Sequence, residues 1–229
     1  MSAPEVLLAL DTSTPVGSVA VGRGDRLLAE VVMGVAVRHA EALMPAIEFA
    51  LRQAGMEPAA LNGIVVAGGP GSFTGVRIAG AAAKGLARAL DVPLYVYSGL
   101  LSLAAGAAAS DRPVCALYDA RREEVYAGAW AFAPDAAPSL VLEPAARALD
   151  QVIEALAARA PLFVGDGALK HRARLEAAGG RVAPAHLAVP RAAALLWLAR
   201  VEPAGRLQDR AAWEPAYLRP SGAERVACG

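Results

Sequence analysis

Apolar residues recur with two periods along this chain. VLLAL at 6–10 is a continuous apolar run ending at Asp11, and GSVAVGRG and DRLLAEVVMG after it alternate apolar and polar positions. Both patterns predict strands, the first two joined by the turn DTSTPVG. From Arg38 to Ala54 the period lengthens: apolar residues at 43, 44, 47, 50 and 51 share one helical face, and Gly55 stops the helix. NGIVVAGG holds a buried strand at 63–67. A helix follows from about 75 to 90, then a strand in PLYVY at 93–97 and a helix in GLLSLAAGAAA at 99–109.

The pattern then restarts. PVCALYDARREEVYAGAWAF runs like EVLLALDTSTPVGSVAVGRG: an apolar strand, Asp119 in place of Asp11, a polar turn and an alternating strand. A strand at SLVL (139–142), a helix from about 147 to 159, a strand at 161–165 and helices near 169–177 and 191–201 complete the second unit. Two ββ(β)αβα units in tandem predict a duplicated α/β architecture. The halves expected are residues 1–109 and 110–229, parted near SDRP, with the tail at about 202–229 packing back on the first half.

Composition narrows the function classes. The chain has 229 residues, 56% of them apolar and many of those alanine, so its core is large but built from small side chains. Its formal net charge of +0 lacks the basic excess of a protein that grips nucleic acid unaided. Only Lys84 and Lys170 are lysine. The two cysteines, Cys115 and Cys228, form neither a disulfide framework nor a CxxC motif. The N-terminus has no basic segment before its short apolar run, and no stretch is long enough to span a membrane. A cytoplasmic protein is expected.

The densest local signal is GGPGSFTGVRIAG at 68–80, between a predicted strand and a predicted helix. Glycines let a backbone approach a ligand closely, and the free N–H groups of a helix's first turn attract anions. An anion or nucleotide loop here would use Asp11, Gly69, Gly71, Ser72, Thr74 and Gly75. The stretch is not a P-loop, because Val76 and Arg77 stand where lysine and serine or threonine are required, and GxGxxG fails at Thr74. Read locally, it is either an anion cradle or a plain strand-to-helix turn.

Elimination removes most catalytic chemistries. His39, His171 and His186 have no histidine partner at i,i+3 or i,i+4, and HExxH is absent. His39 opens a helix, His171 is expected on a solvated helix face, and His186 lies in a proline-flanked loop. No metal site is expected. There is no GxSxG, and nothing favours a Ser72–His39–Asp11 triad. Asp11 and Asp119 both end strands; paired across one cleft they would suit a metal–nucleotide complex, and separately each caps its own turn. For Asp119 the turn is preferred, because Arg121 and Arg122 follow it.

The helix from 75 to 90 carries small residues at i,i+4: Gly75, Ala79, Ala83 and Ala87, flanked by Val76, Leu86 and Leu90. The helix before it offers Leu43, Met44 and Ile47. Such faces let helices approach closely, either inside the fold or across a partner interface.

LLALDTSTPVGSVAV, RHAEALMPAI, GGPGSFTGVRIAGAAAKGLA, ALYDARREEVYAGAW and PAYLRP, in this order, resemble the bacterial TsaB (YeaZ) family over nearly the whole chain. The resemblance implies an actin/Hsp70-like (ASKHA) α/β fold of two tandem RNase H-like halves, with mixed sheets flanked by helices. It implies a non-catalytic partner of TsaD in making threonylcarbamoyladenosine beside the anticodon of ANN-reading tRNAs. TsaD carries a metal-binding histidine pair; the corresponding stretch here, YSGLLSLAAGAAA at 97–109, has none. That departure speaks against autonomous transferase activity and against a peptidase M22-like activity. The resemblance further implies pairing with TsaD through the N-terminal helices, a place for the ATPase TsaE, self-association on the same surface and no more than weak tRNA contact. No cofactor is expected on this chain alone; ATP and Mg would act through partner subunits. The competing reading is an autonomous ASKHA-type ATPase or phosphotransferase, built on Asp11 and the glycine turn.

Overall fold

The computed structural model describes residues 4–34, 38–120 and 124–216. Strands β1 (Val6–Asp11), β2 (Gly17–Arg23), β3 (Arg26–Met33), β4 (Gly63–Ala67) and β5 (Leu94–Tyr97) form one sheet, ordered β3-β2-β1-β4-β5. β1, β2 and β3 are antiparallel neighbours, while β4 runs parallel to β1 and β5 parallel to β4. Strands β6 (Val114–Asp119), β7 (Glu124–Ala131), β8 (Ser139–Ala148), β9 (Leu162–Val164) and β10 (Arg181–Val182) form a second sheet, ordered β10-β9-β6-β7-β8. Taken from its other edge, the second sheet repeats the order and the strand directions of the first. The duplication expected from the apolar pattern is therefore present. Two RNase H-like halves with mixed sheets make an ASKHA-type α/β fold.

Seven α-helices lie among the described residues: α1 (His39–Gln53), α2 (Phe73–Ala89), α3 (Gly99–Ala105), α4 (Leu149–Leu156), α5 (Asp166–Lys170), α6 (Arg172–Ala177) and α7 (Ala192–Val201). The two-residue strand period decides which helix each side chain meets. Leu8, Leu10, Ile64 and Val66 point to one face of the first sheet, where α1 and α2 cover them. Ala9, Ala20 and Val65 point to the other face and meet Leu195 and Leu198 of α7. β4, the GIVVA segment, is buried throughout, as a parallel strand covered on both faces must be.

The halves exchange their last helices. α3 follows β5 of the first sheet, yet Leu100 and Leu103 pack on Val114, Ala116 and Tyr118 of the second. α7 follows β10 of the second sheet and packs on the first. The opposite face of the second sheet takes Val152 and Leu156 of α4.

Element boundaries differ from the expectation in four places. β8 continues six residues beyond SLVL because Val125 and Glu124 keep pairing with Arg147 and Ala148, so α4 begins only at Leu149. The helix expected near 169–177 is two short helices broken at His171. The helix expected at 99–109 ends at Ala105. α2 starts at Phe73, where Ser72 caps it by accepting from the Gly75 amide. β10 has only two residues, too few to show an apolar period. Residues 206–216 run along β5 and α2, beginning with a bridge from Arg206 to Tyr95. The rest of the expected tail, 217–229, lies outside the described residues, as does Cys228. No helix among the described residues is long and apolar enough to cross a membrane.

Leu195 is fully buried where the exchanged α7 meets the first sheet. Leu195→Ala is expected to lower the unfolding free energy by about 3 kcal/mol in urea titration. A loss below about 1 kcal/mol would show that α7 does not hold that sheet.

Candidate functional site

Asp11 ends β1 opposite Ser18, and its carboxylate is fully buried. Oδ1 accepts from the Ser13 amide at 2.8 Å and the Ser13 hydroxyl at 2.7 Å, closing a tight turn. Oδ2 has no hydrogen-bond partner. Burial pushes the Asp11 carboxyl up to about 6, against the pull of the Ser13 hydrogen bonds.

The glycine stretch packs directly on this turn. The Ser72 amide donates to the Ser13 carbonyl at 2.7 Å, and the Thr12 hydroxyl donates to the Gly75 carbonyl at 2.7 Å. A β-carbon at Gly71 would stand 2.3 Å from the Ser13 oxygen, and one at Gly75 would stand 2.0 Å from the Thr12 oxygen. The two backbones therefore touch, and only glycine fits. The second half joins at the same place: the Gly99 amide donates to the Gly69 carbonyl at 2.7 Å, and the buried Tyr118 hydroxyl donates to the Gly99 carbonyl at 3.1 Å. Burial raises the Tyr118 phenol well above its ordinary value, and the nearby Asp11 charge adds to this.

Of the six residues expected to form an anion or nucleotide loop, Asp11, Gly69, Gly71, Ser72 and Gly75 meet at this junction, where Gly69 also lies against the Ala216 carbonyl; Thr74 is exposed. The amides of Gly68, Ser72, Gly75 and Val76 are bonded within the chain. The turn is thus first a tertiary joint between two loops.

His39 is buried, and its Nε2 lies 2.8 Å from the Thr14 carbonyl, so that nitrogen is the donor and ties α1 to the β1–β2 turn. His171 corrects an expectation: it is buried at the break between α5 and α6, because its amide still bonds back to Gly167 while the chain turns. His186 is exposed. Among the described residues no group of three or more His, Cys, Asp or Glu is arranged to hold a metal ion. Asp119 accepts from Lys170 at 3.0 and 3.1 Å, and its amide donates to Asp166 at 3.2 Å. Sequence reading did not foresee Lys170, which stands 51 residues downstream; Arg121 and Arg122 lie outside the described residues. Cys115 is buried in β6, which raises its thiol's pKa.

The two N-terminal helices present a second feature. Leu43, Ile47, Val76, Ala79, Ala83 and Ala87, expected at a partner interface, are buried in the first half's own core. This corrects their assignment. The small side chains of Ala79, Ala83 and Ala87 let α2 lie close on β4, so the stripe at 75, 79, 83 and 87 is used internally. Met44 remains 50% exposed, and Leu86 and Leu90 are half-buried. The outward ridge of α2 carries Phe73, Arg77, Ala81, Gly85 and Ala89, a second i,i+4 series displaced by two positions. Phe73 is 40% exposed beneath the Arg77 guanidinium, and Phe49 of α1 is 45% exposed. Beside α1, towards residues 55–61, opens a cavity of about 650 Å³, lined by Met44, Pro45, Leu51, Met56 and Leu61 and reached from α2 by Leu86. Phe49, Phe73, Ala81 and Gly85 did not stand out in the sequence; for the three on α2, the signal is Arg77 and Arg88, which mark its solvent side.

Comparison with known proteins gives a consistent result. The family model for TsaD, tRNA N6-adenosine threonylcarbamoyltransferase, matches residues 33–221. The tRNA threonylcarbamoyladenosine biosynthesis protein TsaB of Bacillus subtilis is 40% identical over 126 residues, 55% of this chain and 55% of that protein. TsaB of Escherichia coli is 35% identical over 122 residues, 52% of each. The chain thus spans about half the length of the curated relatives it matches. Among solved structures, a Pseudomonas aeruginosa protein described as similar to peptidase YEAZ superposes with a TM-score of 0.82 at 32% identity. That match covers 94% of this chain and 100% of the other. YeaZ from Pseudomonas aeruginosa gives a TM-score of 0.77 at 30% identity, covering 93% of this chain and 100% of that one.

Two measurements follow from the junction. Gly75→Ala forces two backbones apart and is expected to destabilise by about 2–4 kcal/mol in urea; a change under about 0.5 kcal/mol would contradict the contact. For Asp11 the sign is set by proton binding. An unfolded aspartate titrates near 3.9, whereas the folded carboxyl keeps its proton up to about 6. Between these values the folded chain binds more protons, so stability falls as pH rises. Asp11→Asn removes that slope, so the variant should gain about 2–3 kcal/mol relative to the parent between pH 4 and pH 7. A pH-independent difference would rule out a desolvated carboxyl.

Proposed function

The chain belongs to the TsaB (YeaZ) family, and we propose that it serves as a non-catalytic partner subunit of TsaD. In this reading it supports transfer of the threonylcarbamoyl group to the adenosine beside the anticodon of ANN-reading tRNAs. The observation that carries the reading is apolar exposure on α1 and α2, where Met44, Phe49 and Phe73 are each 40% exposed or more and Met44 also lines the open cavity. Large apolar side chains left exposed on two neighbouring helices are the kind of surface a partner covers. Ala81 and Gly85 on the α2 ridge let a partner helix come close, and Arg77 and Arg88 border them with charge.

The subunit's part is to bind rather than to react. The stretch at 97–109 offers no histidine, and the charge balance of +0 leaves tRNA phosphate contacts chiefly to other subunits. TsaE and ATP–Mg join through the assembled complex. A second copy of this chain competes for the same helices, so the homodimer and the heterodimer exclude each other. The assembly works in the cytoplasm.

A second reading, an autonomous ATPase or phosphotransferase, draws on the unpartnered Oδ2 of Asp11. It is disfavoured by the amides of Ser72, Gly75 and Val76, which are bonded within the chain. Calorimetric titration with Mg-ATP and a phosphate-release assay separate the two, since tight binding with turnover by the isolated chain supports only the second.

The decisive test is reconstitution of the tRNA product from purified TsaD, TsaE, tRNA, ATP and the adenylate-forming enzyme. Omitting this chain should abolish product, and unchanged yield would refute the subunit role. Ala81→Arg leaves the core intact and should weaken TsaD binding by about a hundredfold; unaltered co-elution would refute the interface.

A further inference from the structure

α2 packs on the first sheet and on α1, and its Leu86 lines the 650 Å³ cavity beside α1. On its opposite flank the segment 206–216 runs antiparallel to it and fastens it at both ends and in the middle. At the C-terminal end of the helix, the Arg210 guanidinium donates to the Ala87 carbonyl at 3.1 Å and the Val92 carbonyl at 2.9 Å, and pairs with Asp91 at 2.8 Å. The Leu207 amide donates to the Leu94 carbonyl at 2.9 Å. In the middle, the Lys84 ammonium donates to the Ala211 carbonyl at 3.0 Å and the Trp213 carbonyl at 2.9 Å. Near the N-terminal end, the Trp213 ring fills the space left by two absent side chains: a β-carbon at Gly80 or at Gly68 would lie 3.2 Å from it. The Ala216 amide then donates to the Gly68 carbonyl at 2.8 Å, at the entrance to the glycine turn.

Lys84 therefore does not act as a solvated surface charge. It spends two of its three donors on backbone carbonyls of a segment more than 120 residues away. Charge-assisted hydrogen bonds at half-buried positions are among the stronger polar contacts available to a fold. The segment carries no regular secondary structure beyond its bridge to β5, so these side chains are what fix it to the helix.

We propose that Lys84 and Trp213 are positioning residues, which clamp the strap 206–216 against α2 and so hold its outward ridge in the pose that a partner helix recognises. The inference rests on the partner reading above and adds to it the element that presents the surface. A helix fastened before binding loses less freedom on docking, which raises affinity without any new contact. When the strap lets go, only a fraction of molecules hold the competent pose, and the apparent affinity drops by that fraction.

The test uses the full chain, purified TsaD as the probe, and four variants: Lys84→Met, Lys84→Arg, Trp213→Ala and Ala81→Arg. Hydrogen exchange at the Leu207 and Ala216 amides reports strap release, calorimetry reports binding, and thermal melting reports global stability. Lys84→Met and Trp213→Ala should speed exchange along the strap and weaken TsaD binding about tenfold while the chain stays folded. Lys84→Arg, which can still donate to both carbonyls, should restore binding to within about twofold of the parent. Fast strap exchange with parental affinity overturns the inference, as does unchanged exchange in both clamp variants. If Ala81→Arg also binds like the parent, the partner surface itself is misplaced; if Ala81→Arg fails to bind while the clamp variants bind normally, only the strap's role is refuted.

Discussion

The backbone of the glycine turn lies so close to the loop after β1 that no side chain fits between them. Gly71 meets the Ser13 carbonyl and Gly75 meets the Thr12 carbonyl, and two hydrogen bonds close the contact. This joint sets the height and the rotation at which α2 leaves the turn. A helix repeats every 3.6 residues, so its rotation at the first turn is inherited along its length. Gly75 against Thr12 brings Ala79, Ala83 and Ala87 onto the sheet and leaves Ala81 and Gly85 facing outward. The proposed partner surface is in this sense a consequence of a backbone contact at the far end of the helix.

The same joint gathers both halves. Gly99 bonds to the turn, and Tyr118 reaches across to Gly99. Burying Asp11 at this place disfavours its ionised form, and the Ser13 amide and hydroxyl offset only part of that cost. Around it, α3 covers the second sheet and α7 covers the first. Each half thus borrows a helix from the other, and the small residues Ala9 and Ala20 let the borrowed α7 approach its sheet.

Duplication has not kept the two strand ends alike. Asp11, ending β1, is sealed from solvent and bonded to its own turn. Asp119, ending β6, is partly exposed and paired with Lys170 at 3.0 Å. An ion pair with side chains 43% and 30% exposed contributes little to stability. Its effect is local: it sets a lysine ammonium beside the Asp119 carboxylate, where the Asp11 carboxylate is held by the Ser13 amide and hydroxyl. The helices equivalent to α1 and α2 also differ, since α4 is short and α5 and α6 replace one continuous helix. Among the described residues the extended apolar helix pair lies in the first half, which is where the proposed partner surface lies.

Local pattern was enough to establish the repeated α/β units, the principal strands and the helices around them, because strand and helix periods are written in near neighbours along the chain. It also isolated the glycine turn, though not its purpose, since a close backbone approach and an anion cradle ask for the same residues. It could not choose which small-residue stripe of α2 faces the sheet: 75, 79, 83 and 87 and 81, 85 and 89 both satisfy helical spacing, and the choice is made by the contact of Gly75 with Thr12. Nor could it match Lys84 with Trp213 or Asp119 with Lys170, because no local period links residues that distant. Sequence by itself determined what each segment is. Tertiary structure alone decided which face each segment shows, because that depends on which distant backbones come to touch.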